Sequence, residues 1–147
     1  MSIVRELVDS NLYYFIGTIT ETEKALQQVE LALNIVLPED LKWLLVHRGY
    51  GKCTITPNIQ ESVEITTLFR KDAGLPSHFL VLEDLHDAGV VLLNTRSDSG
   101  AVTWLETHCI EELQERKESE LSDADHFPTF DLWVKFKLHD VIEEDAT

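Results

Sequence analysis

Phe79-Leu80-Val81-Leu82 followed by Gly89-Val90-Val91-Leu92-Leu93 and then Gly100-Ala101-Val102-Thr103-Trp104-Leu105 is the stretch that decides the fold. The first two runs are apolar throughout, the pattern of central strands covered on both faces. The third follows a polar turn, Thr95 to Ser99, and reads as their hairpin partner. Just upstream, Thr54-Ile55-Thr56 and Val63-Glu64-Ile65-Thr66-Thr67-Leu68 are β-branched and alternate, which predicts two half-buried strands.

Moving outward toward the N-terminus, the period changes from two to that of a helix. Thr20-Glu21-Thr22-Glu23 fits a capping box, and Leu26, Val29 and Leu33 recur at helical spacing behind it. Asn34 is placed to end that helix, because asparagine tolerates a left-handed backbone. Leu37-Pro38-Glu39-Asp40 opens a second helix, with proline at its first position and two acids at the positive end of the dipole. Leu41, Leu44 and Leu45 form its buried face, and Gly49 provides the exit. Ile3 to Ile19 reads as a short helix followed by a strand through Leu12, Tyr14 and Ile16.

Toward the C-terminus, Cys109 to Leu121 is a charged, exposed helix or loop. Thr129 to Leu138 is a closing amphipathic helix through Phe130, Trp133, Val134 and Leu138. Helices, then a strand-rich meander, then a helix make an α+β fold rather than an alternating α/β one. No repeat or linker divides the chain, so residues 1–147 are expected to form one domain.

Composition narrows the partner. The chain has 147 residues, 44% of them hydrophobic, enough for a sizeable core. Its 27 acidic residues face 12 basic ones, a net charge of −15. That field repels nucleic-acid phosphates and anionic lipid, and attracts a basic protein. Cys53 and Cys109 stand apart, without the spacing of a disulfide framework or a zinc site. Glu6 and Asp9 interrupt the segment Met1 to Gly17 where a secretory leader needs a basic start and an apolar run. No stretch reaches the roughly 18 apolar residues of a membrane span. The expectation is a cytoplasmic protein with neither a nucleic-acid nor a membrane partner.

Three stretches together resemble the SUKH superfamily. Glu30 through Gly51 is similar to its helix, Gly-Ile-x-Leu-Pro turn and second helix ending in Asn-Gly-Gly; here the turn is Asn34-Ile35-Val36-Leu37-Pro38 and the ending Arg48-Gly49-Tyr50-Gly51. Phe79 through Trp104 looks like its strand, Asp-Gly-containing turn and two further strands, with Asp87-Ala88-Gly89 in the turn. Phe127-Pro128-Thr129-Phe130-Asp131-Leu132-Trp133 is similar to the start of its final helix. The likeness runs over about residues 20 to 138. It departs at Asn34, where glycine is usual, and in the incomplete Asn-Gly-Gly ending. What the resemblance implies is a mixed or antiparallel sheet flanked by helices and a non-enzymatic role. Many bacterial members look like immunity proteins against polymorphic or contact-dependent growth inhibition toxins, often nucleases; others serve as cytosolic regulators or scaffolds.

The residues offer little chemistry to set against that. His47, His78, His86, His108, His126 and His139 are scattered, with no metal-binding pair at zinc spacing, so no metal or cofactor is expected. His86-Asp87 reads as a solvated turn. Cys109 beside His108 lacks an orienting third group, and adjacent residues seldom face each other productively. Glycines stand alone or as Gly49-x-Gly51 after a helix, without a phosphate loop. No residue is assigned a catalytic role. Carboxylates, by contrast, crowd between Glu83 and Asp125. Glu83, Asp84, Asp87 and Asp98 fall at strand ends or turns, and Glu106, Glu111, Glu112 and Glu115 follow. These eight, with Tyr50 and Trp104 as aromatic anchors, form the expected partner surface. A nuclease must be basic to hold its substrate, and an acidic inhibitor can exploit that need. The expected function is an immunity protein that occludes a cationic nuclease toxin, the alternative a regulatory or scaffold adaptor with another protein partner.

Overall fold

Helix boundaries in the N-terminal half follow from local hydrogen bonding. The computed structural model describes residues 2–53 and 55–147. Helix α1 (Ile3–Ser10) starts at Ser2, whose hydroxyl accepts from the Arg5 amide. Residues Leu12–Phe15 form a 3-10 turn, not the expected strand; Phe15 is buried while Leu12, Tyr13 and Ile16 face outward. Among the described residues, the one bridge that Leu12 to Ile19 makes with the rest of the chain is Ile19 with Tyr50. That bridge also moves the start of α2 (Glu23–Leu33). Because Ile19 is paired and the Glu21 amide donates to Leu45 O at 2.9 Å, the chain stays extended past Thr20. Thr22, not Thr20, is therefore the cap, its hydroxyl accepting from the Ala25 amide at 3.1 Å.

Asn34 ends α2 in the left-handed region, φ 55 and ψ 51, as its sequence context predicts. Pro38, at φ −58 and ψ 143, is the cap before α3 (Glu39–His47), one position ahead of its expected place. Leu41, Leu44 and Leu45 form the buried face of α3.

The largest correction concerns Val63 to Leu68. These residues lie in the middle of a helix, α4 (Ile59–Asp72), capped by the Asn58 side chain accepting from the Glu61 amide. The other expected strand is also absent: Ile55 and Thr56 sit in bends, and Thr54 lies outside the described residues. The location of α4 gives it a strand-like sequence pattern. It lies along the edge of the sheet and touches both cores, Ile59 and Val63 on one side, Ile65 and Phe69 on the other. Between them Ser62 and Thr66 face the sheet edge. The resulting alternation of apolar and hydroxyl side chains imitates a strand.

The sheet is an antiparallel meander, β1 (Phe79–Asp84), β2 (Val90–Asn94), β3 (Val102–Leu105) and β4 (Asp125–Phe127), in that spatial order. Both faces are covered, as the apolar runs predict. Leu80, Leu82, Val91, Leu93 and Val102 join a core with α1, α2, α3 and α5 (Phe130–Ala146). Phe79, Val81, Val90, Leu92 and Leu105 join a second core with Leu75, Ile110 and Leu113. Each such side chain contributes roughly 1.5–3 kcal/mol through burial. The segment expected as a charged, exposed helix or loop contains two 3-10 turns, Thr107–Gln114 and Glu118–Glu120. It is not wholly exposed: Ile110 and Leu113 are buried, and Glu118 is buried accepting from Asn94 Nδ2 at 3.0 Å. The fold is α+β.

Candidate functional site

One cross-strand row sets the floor of a groove on the sheet. Glu83 pairs with Val91, Val91 with Trp104, and Trp104 with Asp125, so these four side chains share one face across all four strands. Trp104 is fixed there by two contacts. Its indole N–H donates to Ala88 O at 2.8 Å, and its ring lies against Gly89. Gly89 adopts φ 100, and a Cβ added to it would come within 2.6 Å of Leu105 O and 2.7 Å of Trp104 Nε1. Only glycine combines that backbone with that approach. The turn residue flagged in the sequence thus exists to seat the tryptophan.

Helix α5 crosses the same face and leaves a groove of about 670 Å³ between Trp133, Phe136 and Lys137 on the helix and Val91, Trp104 and Phe127 on the sheet. Lys137 spans it to Glu83, with Nζ 2.8 Å from the carboxylate. Both partners are about one-fifth exposed, so the contact is shielded more than a surface pair.

The ten residues expected to meet a partner fall into separate groups. Glu83 and Trp104 share the groove. Glu83, Asp84 and Tyr50 share a cleft of about 350 Å³ between α4 and the end of β1, where Glu61 also faces them. Tyr50 is only 4% exposed, and its hydroxyl donates to Glu21 at 2.5 Å, so most of its ring belongs to the core. Burial, with the Glu21 hydrogen bond second, pushes its phenol up to about 12. Asp84 accepts from the His86 amide at 2.9 Å and lies 3.6 Å from its Nδ1. Asp87 is exposed in the β1–β2 turn, and Glu106, Glu111, Glu112 and Glu115 are exposed on the segment leaving β3. The strand register puts that turn and the exit from β3 at one end of the sheet. Asp98 sits in the β2–β3 turn at the other end.

Ion pairing separates these acids from the rest. Among the described residues, the carboxylates held by lysine or arginine are Glu30, Glu39 and Glu83. From Asp84 to Asp125, among the described residues, the side chains within ion-pair distance of a carboxylate are histidines, His86 for Asp84 and His108 for Glu106. The exposed carboxylates of this stretch are therefore left for solvent or a partner.

Cys109 sits beside a small cavity of about 80 Å³ lined by Glu106, Glu112 and Asp123. Burial raises its thiol pKa first, and a hydrogen bond with Glu112 and the charges of Glu112, Glu106 and Asp123 raise it further. A nucleophilic cysteine needs the opposite environment. Glu106, His108 and Cys109 hold ligand atoms within 4.8 Å of one another, all on the surface turn. His86 and Asp87 have no third ligand of this kind among the described residues.

Sequence reasoning missed the α5 wall. Phe136 and Leu132 lie off the core stripe of Phe130, Trp133, Val134 and Leu138, and both are exposed, Phe136 by 53%. Large apolar residues off the buried face of an otherwise amphipathic helix were the available signal.

Among the described residues, no helix is long and apolar enough to cross a membrane. No curated protein matches the chain. A family model, SMI1/KNR4 family (SUKH-1), matches residues 20–130. That span takes in α2 through the start of α5, and so every strand and the turn that seats Trp104. The chain belongs to the SMI1/KNR4 family (SUKH-1).

Proposed function

We propose that this chain is an immunity protein that binds a cognate cationic toxin, a nuclease of the RNase or DNase class, and neutralises it by occlusion without chemistry of its own. The observation that carries the reading is that, among the described residues, the exposed Asp87, Glu111, Glu112, Glu115, Asp123 and Asp125 have no lysine or arginine partner. Family membership supports the same reading, since SUKH proteins include the immunity partners of polymorphic and contact-dependent growth inhibition toxins.

The physics favours such a pairing. Carboxylates free of internal partners keep their full field, which steers a cationic protein and raises its association rate. Once desolvated against Lys or Arg, close charge pairs couple by about 1.5–7 kcal/mol. A nuclease cannot shed its own basic surface, because substrate binding depends on it. The setting is the cytoplasm of the cell that the toxin attacks.

The experiment is co-expression of the chain with toxin domains encoded beside it, read as growth. Rescue by the wild-type chain, lost in the triple variant Asp87→Lys, Glu111→Lys, Glu115→Lys, is the expected result. Absence of rescue against every neighbouring toxin would remove the immunity reading and leave an adaptor role for the same fold.

A further inference from the structure

The groove between α5 and the sheet has a chemistry distinct from the acidic end next to it. Its walls are aromatic: the Phe127 and Phe136 rings lie 5.2 Å apart, and Trp104 forms the floor. Leu85, 38% exposed, and Phe136, 53% exposed, open it to solvent. Its one lysine, Lys137, is neutralised by Glu83. Asp125 and Asp140, both exposed on the rim, are left uncompensated, a local charge of two negative. At about 670 Å³ the groove is within the size range of sites that bury a compact ligand or several side chains. The sheet order ends at β4, so an extended chain laid along that strand runs beside Asp125 and Phe127, and Asp140 lines the same groove.

We propose that this groove docks an extended segment of a partner protein, in which an aromatic or aliphatic side chain is flanked by lysine or arginine. The apolar side chain packs against Phe127, Phe136 and Trp104, and the flanking cations meet Asp125 and Asp140. Aromatic-lined depressions with a polar rim are where binding energy concentrates. The assignment rests on the toxin reading only for the identity of the partner; the ligand chemistry stands on the groove itself.

The test uses the full chain and three synthetic peptides: acetyl-Lys-Ile-Lys-Trp-Lys-Ile-Lys-amide, the same peptide with alanine for tryptophan, and the same peptide with glutamate for every lysine. Binding is followed by NMR on the isotope-labelled protein in 0.15 M salt. The first peptide is expected to shift Trp104, Phe127, Phe136 and Lys137. The alanine peptide should bind at least tenfold more weakly, and the glutamate peptide should not bind. Phe136→Glu, at an exposed position, should keep the wild-type melting temperature and lose peptide binding at least tenfold. Equal binding of the tryptophan and alanine peptides, or shifts confined to the segment Glu106 to Glu115, would overturn the proposal. If Phe136→Glu fails to bind peptide yet still rescues growth, the groove assignment stands and its attribution to the toxin falls. If wild type binds peptide at the groove but rescues against no toxin, the immunity reading fails alone.

Discussion

The two edges of the sheet are finished in opposite ways. At β1 the edge is sealed. Helix α4 lies along it, the Thr66 hydroxyl accepts from the Val81 amide at 2.9 Å, and the Ser62 hydroxyl donates toward Leu82 O at 3.5 Å. Glu21 ties the same side down, accepting from Tyr50 through one oxygen and from Gln60 of α4 through the other. At β4 the edge strand is three residues long, and Asp125 and His126 are exposed. An unpaired edge is a hazard for any sheet, and natural proteins cover it or keep it short and charged. This one does each, on opposite sides. The sealed side serves stability, and the short, charged side leaves apolar and acidic groups in reach of a partner.

Changes on either side break or sharpen that contrast. The largest effect is expected at Gly89, whose backbone sits at φ 100 against Trp104. Gly89→Ala should cost about 3 kcal/mol in urea unfolding, from backbone strain plus displacement of the ring. A loss under about 0.5 kcal/mol would show that the turn does not hold Trp104 in place. Next is Thr66→Val, which leaves the buried Val81 amide unsatisfied at the sealed edge and should cost about 1–3 kcal/mol.

Tyr50 tests the sealed side by pH. Its phenol titrates near 10 in the unfolded chain and is pushed up to about 12 in the folded one. The folded state therefore holds the proton longer. The stability this confers is complete below pH 10 and is lost as pH rises from 10 to 12. Unfolding measured across that window should show the decline in wild type and a shallower one in Tyr50→Phe. The smallest effect belongs to the short edge: Asp125→Asn removes an exposed charge and should change stability by no more than about 0.5 kcal/mol.

The same contrast explains what could be read from the sequence. Asn34, the helix around Leu41 to Leu45, the apolar strands and the core stripe of α5 each solve one local problem, and their residue types show it. Helix α4 solves two at once. It must bridge both cores and supply hydroxyls to a sheet edge, so Val63 to Leu68 lost the helical period, although Asn58 ahead of it and Arg70-Lys71 at its end marked a helix. Tyr50 looked like an anchor because aromatic residues in loops often are, but its partner Glu21 is distant in sequence. Glu83 and Trp104 were legible as residues of interest. The groove they share was not, because its other wall comes from α5 and is set by how that helix crosses the sheet. Glu83 itself spends its charge on Lys137, a contact that spacing does not reveal.

The acidic end of the sheet remains the centre of the account, and its most direct test is affinity for the nuclease domain of a neighbouring toxin as a function of salt. Screening shortens the reach of exposed charges from about 30 Å at 0.01 M to about 8 Å at 0.15 M ionic strength. Tight binding at low salt, at least tenfold weaker at high salt through a slower association rate, is the predicted result, with the Asp87→Lys, Glu111→Lys, Glu115→Lys variant weak at both. Weak binding that does not respond to salt, or a charge-reversed variant that binds as well as wild type, would contradict it.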